Sequence, residues 1–255
     1  MKDKWTITTL KDIKSKNAIF IEGLPGLGNV GKIVADTLVE QLDAQKIGEF
    51  FSYSLPNSVF VTEENLVELP KIELYYKKIK NQSFLFLTGD VQPLSEESSY
   101  RFTEKVLDLI QKYGCSKIIT LGGIGINDIP KKPKVFCTGN HSGYVSEFGA
   151  YKVDTKIFGV VGPIMGVSGL LLGLSKQRKL PAASLLAETY GHPMYVGLRG
   201  AKEILKVLMK KYGFQLNLRD IDKEIKELEE DLSSDSPKGR SPNQPQIYKD
   251  MSYIG

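Results

Sequence analysis

The chain has 255 residues, and its 41% hydrophobic and 25% charged content is that of an ordinary globular protein of one large domain or two small ones. Its 34 basic and 30 acidic residues leave a formal charge of only +4, with Lys131-Lys132-Pro133-Lys134 as the single tight cluster, so no nucleic-acid footprint is expected. The opening MKDKWTITTLKD lacks the apolar centre of a signal peptide, and the longest apolar stretch, Ile164 to Leu174, is broken by glycines and falls short of the roughly 20 residues a membrane span needs. A cytoplasmic protein with no membrane partner is expected.

In chain order, Ala18-Ile19-Phe20-Ile21 reads as a short buried strand that runs into a glycine-rich loop. Val30, Ile33, Val34, Thr37, Leu38 and Leu42 then recur at helical spacing. Lys46 to Tyr53 reads as a second strand. Between Val59 and Ile79, Ile72, Leu74 and Tyr76 alternate with polar residues, the pattern of half-exposed antiparallel strands. Ser83–Thr88 is a central strand closed by Gly89-Asp90-Val91-Gln92-Pro93. Ser95, followed by Glu96 and Glu97, caps a helix reaching about Tyr113. Lys117–Leu121 is a strand leading into the glycines of Gly122–Gly125, Val135–Cys137 another, and Ile157–Val161 a further one before Gly162-Pro163-Ile164 and an apolar helix. Ser184–Thr189 is the last strong strand, with a helix from about Gly200 to Tyr212 behind it. The alternation predicts an α/β fold: a three-layer α/β/α sandwich over residues 1–216 with a mixed, mostly parallel sheet.

Beyond the core, Ile221, Ile225, Leu228 and Leu232 mark an amphipathic helix over 217–232. Residues 233–255 begin with a Ser-, Pro- and Gly-rich linker and end in an apolar peptide with Ile247, Tyr248, Met251, Tyr253 and Ile254. An apolar peptide on such a tether is expected to bind a partner.

The loop Gly23–Lys32 imitates two nucleotide motifs. Gly26-x-Gly28-x-x-Gly31 matches the dinucleotide fingerprint after a strand, but the nearest acid, Glu49, sits near the start of its strand rather than the end. Gly26-x-x-x-x-Gly31-Lys32-Ile33 matches a phosphate loop whose magnesium-binding hydroxyl is replaced by isoleucine. Gly26, Gly28, Asn29, Gly31 and Lys32 remain candidate anion-binding residues, and a nucleotide- or phosphate-binding enzyme using this loop, with Asp90 at a neighbouring strand end, is the alternative reading. Tight helix packing explains the same glycines.

No catalytic constellation emerges elsewhere. His141 and His192 lack metal-ligand company, and Cys115 and Cys137 read as buried thiols outside any disulfide framework. Ser168 is one glycine short of a nucleophile elbow, and Glu188 could be a buried carboxylate with a shifted pKa. No metal or cofactor is expected.

Taken together, Gly23–Gly31, Gly89–Pro93, Thr120–Gly125, Gly162-Pro163-Ile164 with Gly169–Gly173, and Leu185–Thr189 resemble the archaeal branch of the proteasome assembly chaperone family. The resemblance implies a nucleoside-phosphorylase-like sandwich without an established catalytic centre. It also implies a ring-like homo-oligomer, with a pentamer favoured over a tetramer or trimer. Its implied partners are a paralogous chaperone subunit or the proteasome core particle. Docking in such relatives uses a C-terminal hydrophobic-tyrosine-any tripeptide. This chain departs from it: Tyr253 is third from last in Ser252-Tyr253-Ile254-Gly255, and Ile247-Tyr248-Lys249 has the right order without a free carboxylate.

Overall fold

Six consecutive buried residues, Ala18–Gly23, form strand β2. A strand covered on both faces has no solvent side to fill with polar residues, so it sits at the centre of the sheet. The computed structural model describes residues 5–159 and 162–234.

β2 pairs in parallel with β7 (Gln82–Gly89) on one side and β8 (Cys115–Ile126) on the other, and β8 pairs in parallel with β10 (Ala182–Tyr190). Around these strands the pairing turns antiparallel. β6 (Ile72–Ile79), β3 (Gln45–Phe51) and β1 (Thr6–Thr9) extend the sheet beyond β7, and β9 (Val135–Gly139) borders β10. The order is β1-β3-β6-β7-β2-β8-β10-β9, eight strands in all. A small ribbon of β4 (Phe60–Val61) and β5 (Val67–Glu68) stands apart from it.

α1 (Val30–Gln41) and α5 (Leu198–Tyr212) touch each other on one face, and α2 (Glu96–Lys112) and α4 (Gly166–Gln177) do so on the other. β7 shows how both faces are filled. Leu85 and Leu87 join the cluster of Phe102, Val106, Val167 and Leu171, whereas Phe84 points the opposite way, with ring centroids 5.4 Å from Tyr212 and 4.9 Å from Phe214. The result is the expected three-layer sandwich, compatible with a nucleoside-phosphorylase-like arrangement. Ser95 caps α2 as read from the sequence, its Oγ accepting the Ser98 N–H at 3.1 Å with Glu96 and Glu97 in the first turn.

Three elements differ from the sequence reading. β1 is extra: its residues are largely exposed, and Trp5, packed 4.4 Å from Phe102, anchors the start of the strand. β8 does not stop at Gly122 but runs on through the glycines to Ile126, paired with Tyr190. The strand expected at Ile157–Val161 is absent from residues 157–159; Val160 and Val161 lie outside the described residues. Gly159 takes a φ of +80°, and Ile157 packs beside Ile124, Phe136 and Leu186 as part of a loop.

The chain divides into two units, residues 1–216 and 217–255. In the second, α6 (Arg219–Ser234) starts with the Asn217 carboxamide oxygen accepting the Arg219 N–H at 3.1 Å, and with Asp220 and Asp222 in its first turn.

Candidate functional site

The carboxyl ends of β2, β7, β8 and β10 gather the loops that the sequence marks with glycine. β2 passes through Leu24 and Pro25 into a short turn at Leu27–Asn29 and then α1. Gly31 lies against the backbone of β8, where an added Cβ would sit 2.4 Å from the Leu121 carbonyl oxygen. Gly28 has a φ of +61°, and a Cβ there would meet Thr189 Oγ1 at 2.6 Å. Its carbonyl accepts the Gly197 N–H at 2.8 Å. The inner side of the loop is therefore occupied by the β10–α5 connection of the same chain. Gly26 is different, since nothing lies within 4 Å of a Cβ built on it.

Asn29, with φ +50°, precedes α1 without making a side-chain cap. The Lys32 ammonium is 3.0 Å from Asp36 and 3.7 Å from Asp90. Asp36 accepts from the Thr88 hydroxyl, and Asp90 also accepts the Lys71 N–H at 3.0 Å. Two carboxylates thus already answer the charge the phosphate-loop reading needs. Pro25 shares its carbonyl with the Gln92 carboxamide, whose oxygen accepts the Val167 N–H at 3.2 Å. One side chain therefore joins the glycine loop, the β7–α2 connection and the start of α4.

Beneath that junction lies Glu22, fully buried at the end of β2. Its Oε1 accepts the Leu24 N–H at 3.0 Å and the Ser168 hydroxyl at 3.2 Å. Its Oε2 has no partner among the described residues. Burial pushes the carboxyl from an ordinary 4.5 up to about 7, against the pull of those two hydrogen bonds. Sequence reasoning placed the buried carboxylate at Glu188, but that side chain is half-buried and accepts the Lys134 N–H at 2.9 Å. The signal for Glu22 was available: one acid closing an otherwise apolar central strand.

The remaining candidates are dispersed. His141 Nδ1 accepts the Tyr144 N–H at the start of α3 (Ser142–Ser146), and His192 Nδ1 accepts the Met194 N–H in a turn. Cys115 and Cys137 are buried, unpaired thiols, both pushed up by burial, Cys137 to about 12. Among the described residues no group of three His, Cys, Asp or Glu is placed to hold a metal, and no helix is long and apolar enough to cross a membrane. Ile247, Tyr248, Met251, Tyr253 and Ile254 lie outside the described residues.

The same end of the sheet is unusually apolar. Leu27, Leu94, Met165 and Met194 stand exposed on the loops there. The β4–β5 ribbon, which leaves β3 and returns to β6 at this end, adds exposed Val61, Val67 and Leu69. Several large apolar side chains exposed at one end of a sheet are the kind of surface that interaction sites use.

Residues 20–234 match the model of the PAC2 family. The chain belongs to that family. Over 92% of its length it superimposes on PbaB of Pyrococcus furiosus, an archaeal proteasome activator, with TM-score 0.83 and 32% identity, covering 99% of that chain. PbaA of the same organism, an archaeal homolog of proteasome-assembly chaperone, matches with TM-score 0.74 and 28% identity over 89% of this chain and 90% of its own. An uncharacterized protein of Methanocaldococcus jannaschii is 28% identical over 222 residues, 87% of this chain and 84% of that protein. In this PAC2-family chain Glu22 and Gln92 tie together three of the segments that suggested the family: the glycine loop, the β7–α2 connection and the start of α4.

Proposed function

We propose that the chain is a non-enzymatic, cytoplasmic scaffold of the proteasome-assembly type, which works as a ring-like homo-oligomer and recruits a protein partner through its C-terminal tail. The observation that carries this reading is the likeness, across 92% of the chain, to a proteasome activator. The apolar carboxyl end of the sheet supports self-association there, because a surface holding Leu94, Met165 and the β4–β5 ribbon is costly to leave in water. A second copy is the occupant we assign to it, with a pentamer ahead of a tetramer or trimer.

In the tail, Ile247, Tyr248, Met251, Tyr253 and Ile254 are the partner-binding residues of this reading, carried beyond the Ser- and Pro-rich linker. The partner is the proteasome core particle or a paralogous chaperone subunit.

Light scattering behind size exclusion, run on the full chain and on a chain ending at residue 242, tests both halves. We expect the same oligomer from each, and capture of the core particle or paralogue by the full chain alone. A monomer would overturn the scaffold; undiminished capture by the shortened chain would overturn the tail's role.

A further inference from the structure

We propose that the cleft between β9 and α5 is a binding site for a compact polyanion bearing two or more phosphate-type groups. The cleft holds about 300 Å³ and is walled by Lys134 at the start of β9, Lys152 just after the turn at Gly149–Tyr151, and Lys206 and Lys210 on α5. These lysines come from three separate stretches of chain. Lys206 and Lys210 are four residues apart, so they share one flank of the helix. Lys152 holds a φ of +60°, a left-handed conformation uncommon for a residue with a side chain.

Two carboxylates also line the cleft, against its four lysines. Glu203 pairs with Lys206 at 2.6 Å, and Asp154 accepts the Lys156 N–H at 2.8 Å. Among the described residues no carboxylate lies within 4.0 Å of the ammonium groups of Lys134, Lys152 or Lys210. Four lysines against two carboxylates leave the cleft net positive, and a concave wall with a surplus of one sign concentrates anions. Lys131 and Lys132, in the same loop as Lys134, strengthen the field. The sequence had shown this basic cluster without giving it a use.

The ligand class follows from the wall. Each ammonium is a compact charge with three donors, suited to phosphate oxygens from several directions. The volume is at the lower end of small-ligand pockets, too small for a nucleic-acid duplex. This site is separate from the glycine loop, where Lys32 is already paired with two acids.

Calorimetry of the full-length protein with sodium tripolyphosphate at low ionic strength tests the assignment. Lys152→Ala with Lys210→Ala should weaken binding at least about tenfold, the scale of losing charge-assisted hydrogen bonds. Both positions are exposed, so the variant should keep the melting temperature of the parent. Lys32→Ala should bind as the parent does. Absence of saturable binding by the parent, or unchanged affinity in the double variant, would overturn the proposal. So would loss of binding in Lys32→Ala, or an oligoglutamate peptide that binds more tightly than tripolyphosphate through the same lysines, which would make the cleft a surface for an acidic protein.

Discussion

The glycine loop and the β9–α5 cleft invert the relation between motif and charge. The loop carries the spelling of a nucleotide site, yet its lysine is paired and its inner side is filled by Thr189 and Gly197. The cleft has no recognisable spelling, yet it presents three lysines without carboxylate partners among the described residues. A motif records which backbone path a chain can take; whether a charge is available depends on residues that arrive from elsewhere in the fold. Lys32 meets Asp90 just past the end of β7, whereas the ammonium groups of Lys134 and Lys210 pair with no carboxylate among the described residues.

The comparison breaks most visibly at the glycines. Gly31→Val must push side-chain atoms into the backbone of β8 and should cost about 3 kcal/mol or more, read by denaturant unfolding. Gly26→Ala has open space and should change stability by less than about 1 kcal/mol in either direction. A phosphate-cradling loop would instead lose ligand binding at both positions with little change in stability.

Glu22 gives the next effect, and it belongs to the loop side alone. Its folded pKa lies above its unfolded one, so the folded state holds the proton more tightly. Its contribution is fully present below pH 4.5 and is lost as the pH rises through about 7. The displacement corresponds to a loss on the order of 3 kcal/mol at alkaline pH. Glu22→Gln should remove that slope and raise the melting temperature at pH 8. An unchanged pH profile would show that Glu22 is not buried as described.

A smaller contrast concerns the two sets of lysines. Lys32→Ala should cost at most about 1 kcal/mol, because its partners are partly exposed and water screens them. Lys152→Ala should move stability by less than about 0.5 kcal/mol, since Lys152 makes no ion pair among the described residues. Equal losses at the two sites, measured by thermal unfolding, would erase the distinction. The smallest expected change is a gain of a few tenths of a kcal/mol for Asn29→Gly, since glycine takes the left-handed conformation of residue 29 without penalty.

Much of the fold could be read in advance because buried parallel strands announce themselves. Ala18–Ile21 and Ser83–Thr88 are apolar enough to have no other place, and Ser95-Glu96-Glu97 states where α2 begins. What escaped depended on partners distant in sequence. β1 exists because Trp5 finds Phe102. Gly123 and Gly125 look like a turn but lie within a strand, kept bare for Leu27 of the glycine loop. The run at Ile157 has strand composition, but Gly159 bends it away. At the candidate site the sequence joined the loop, Lys32 and Asp90 into one alternative phosphate site and named Ser168 apart from it. It could not say that Lys32 is paired with both Asp36 and Asp90, or that Ser168 answers a carboxylate on β2.

The chain's cysteines have a practical consequence for following its assembly. Both thiols, Cys115 and Cys137, are shielded from solvent and held far from ionisation at neutral pH. A cysteine introduced at exposed Asn81, in the β6–β7 turn at the other end of the sheet from the proposed contact surface, would therefore be the one position that a spin label or fluorophore modifies, with the native pair left in place. Distances between labels would then test the proposed homo-oligomer in solution and, where it forms, give its subunit number and symmetry.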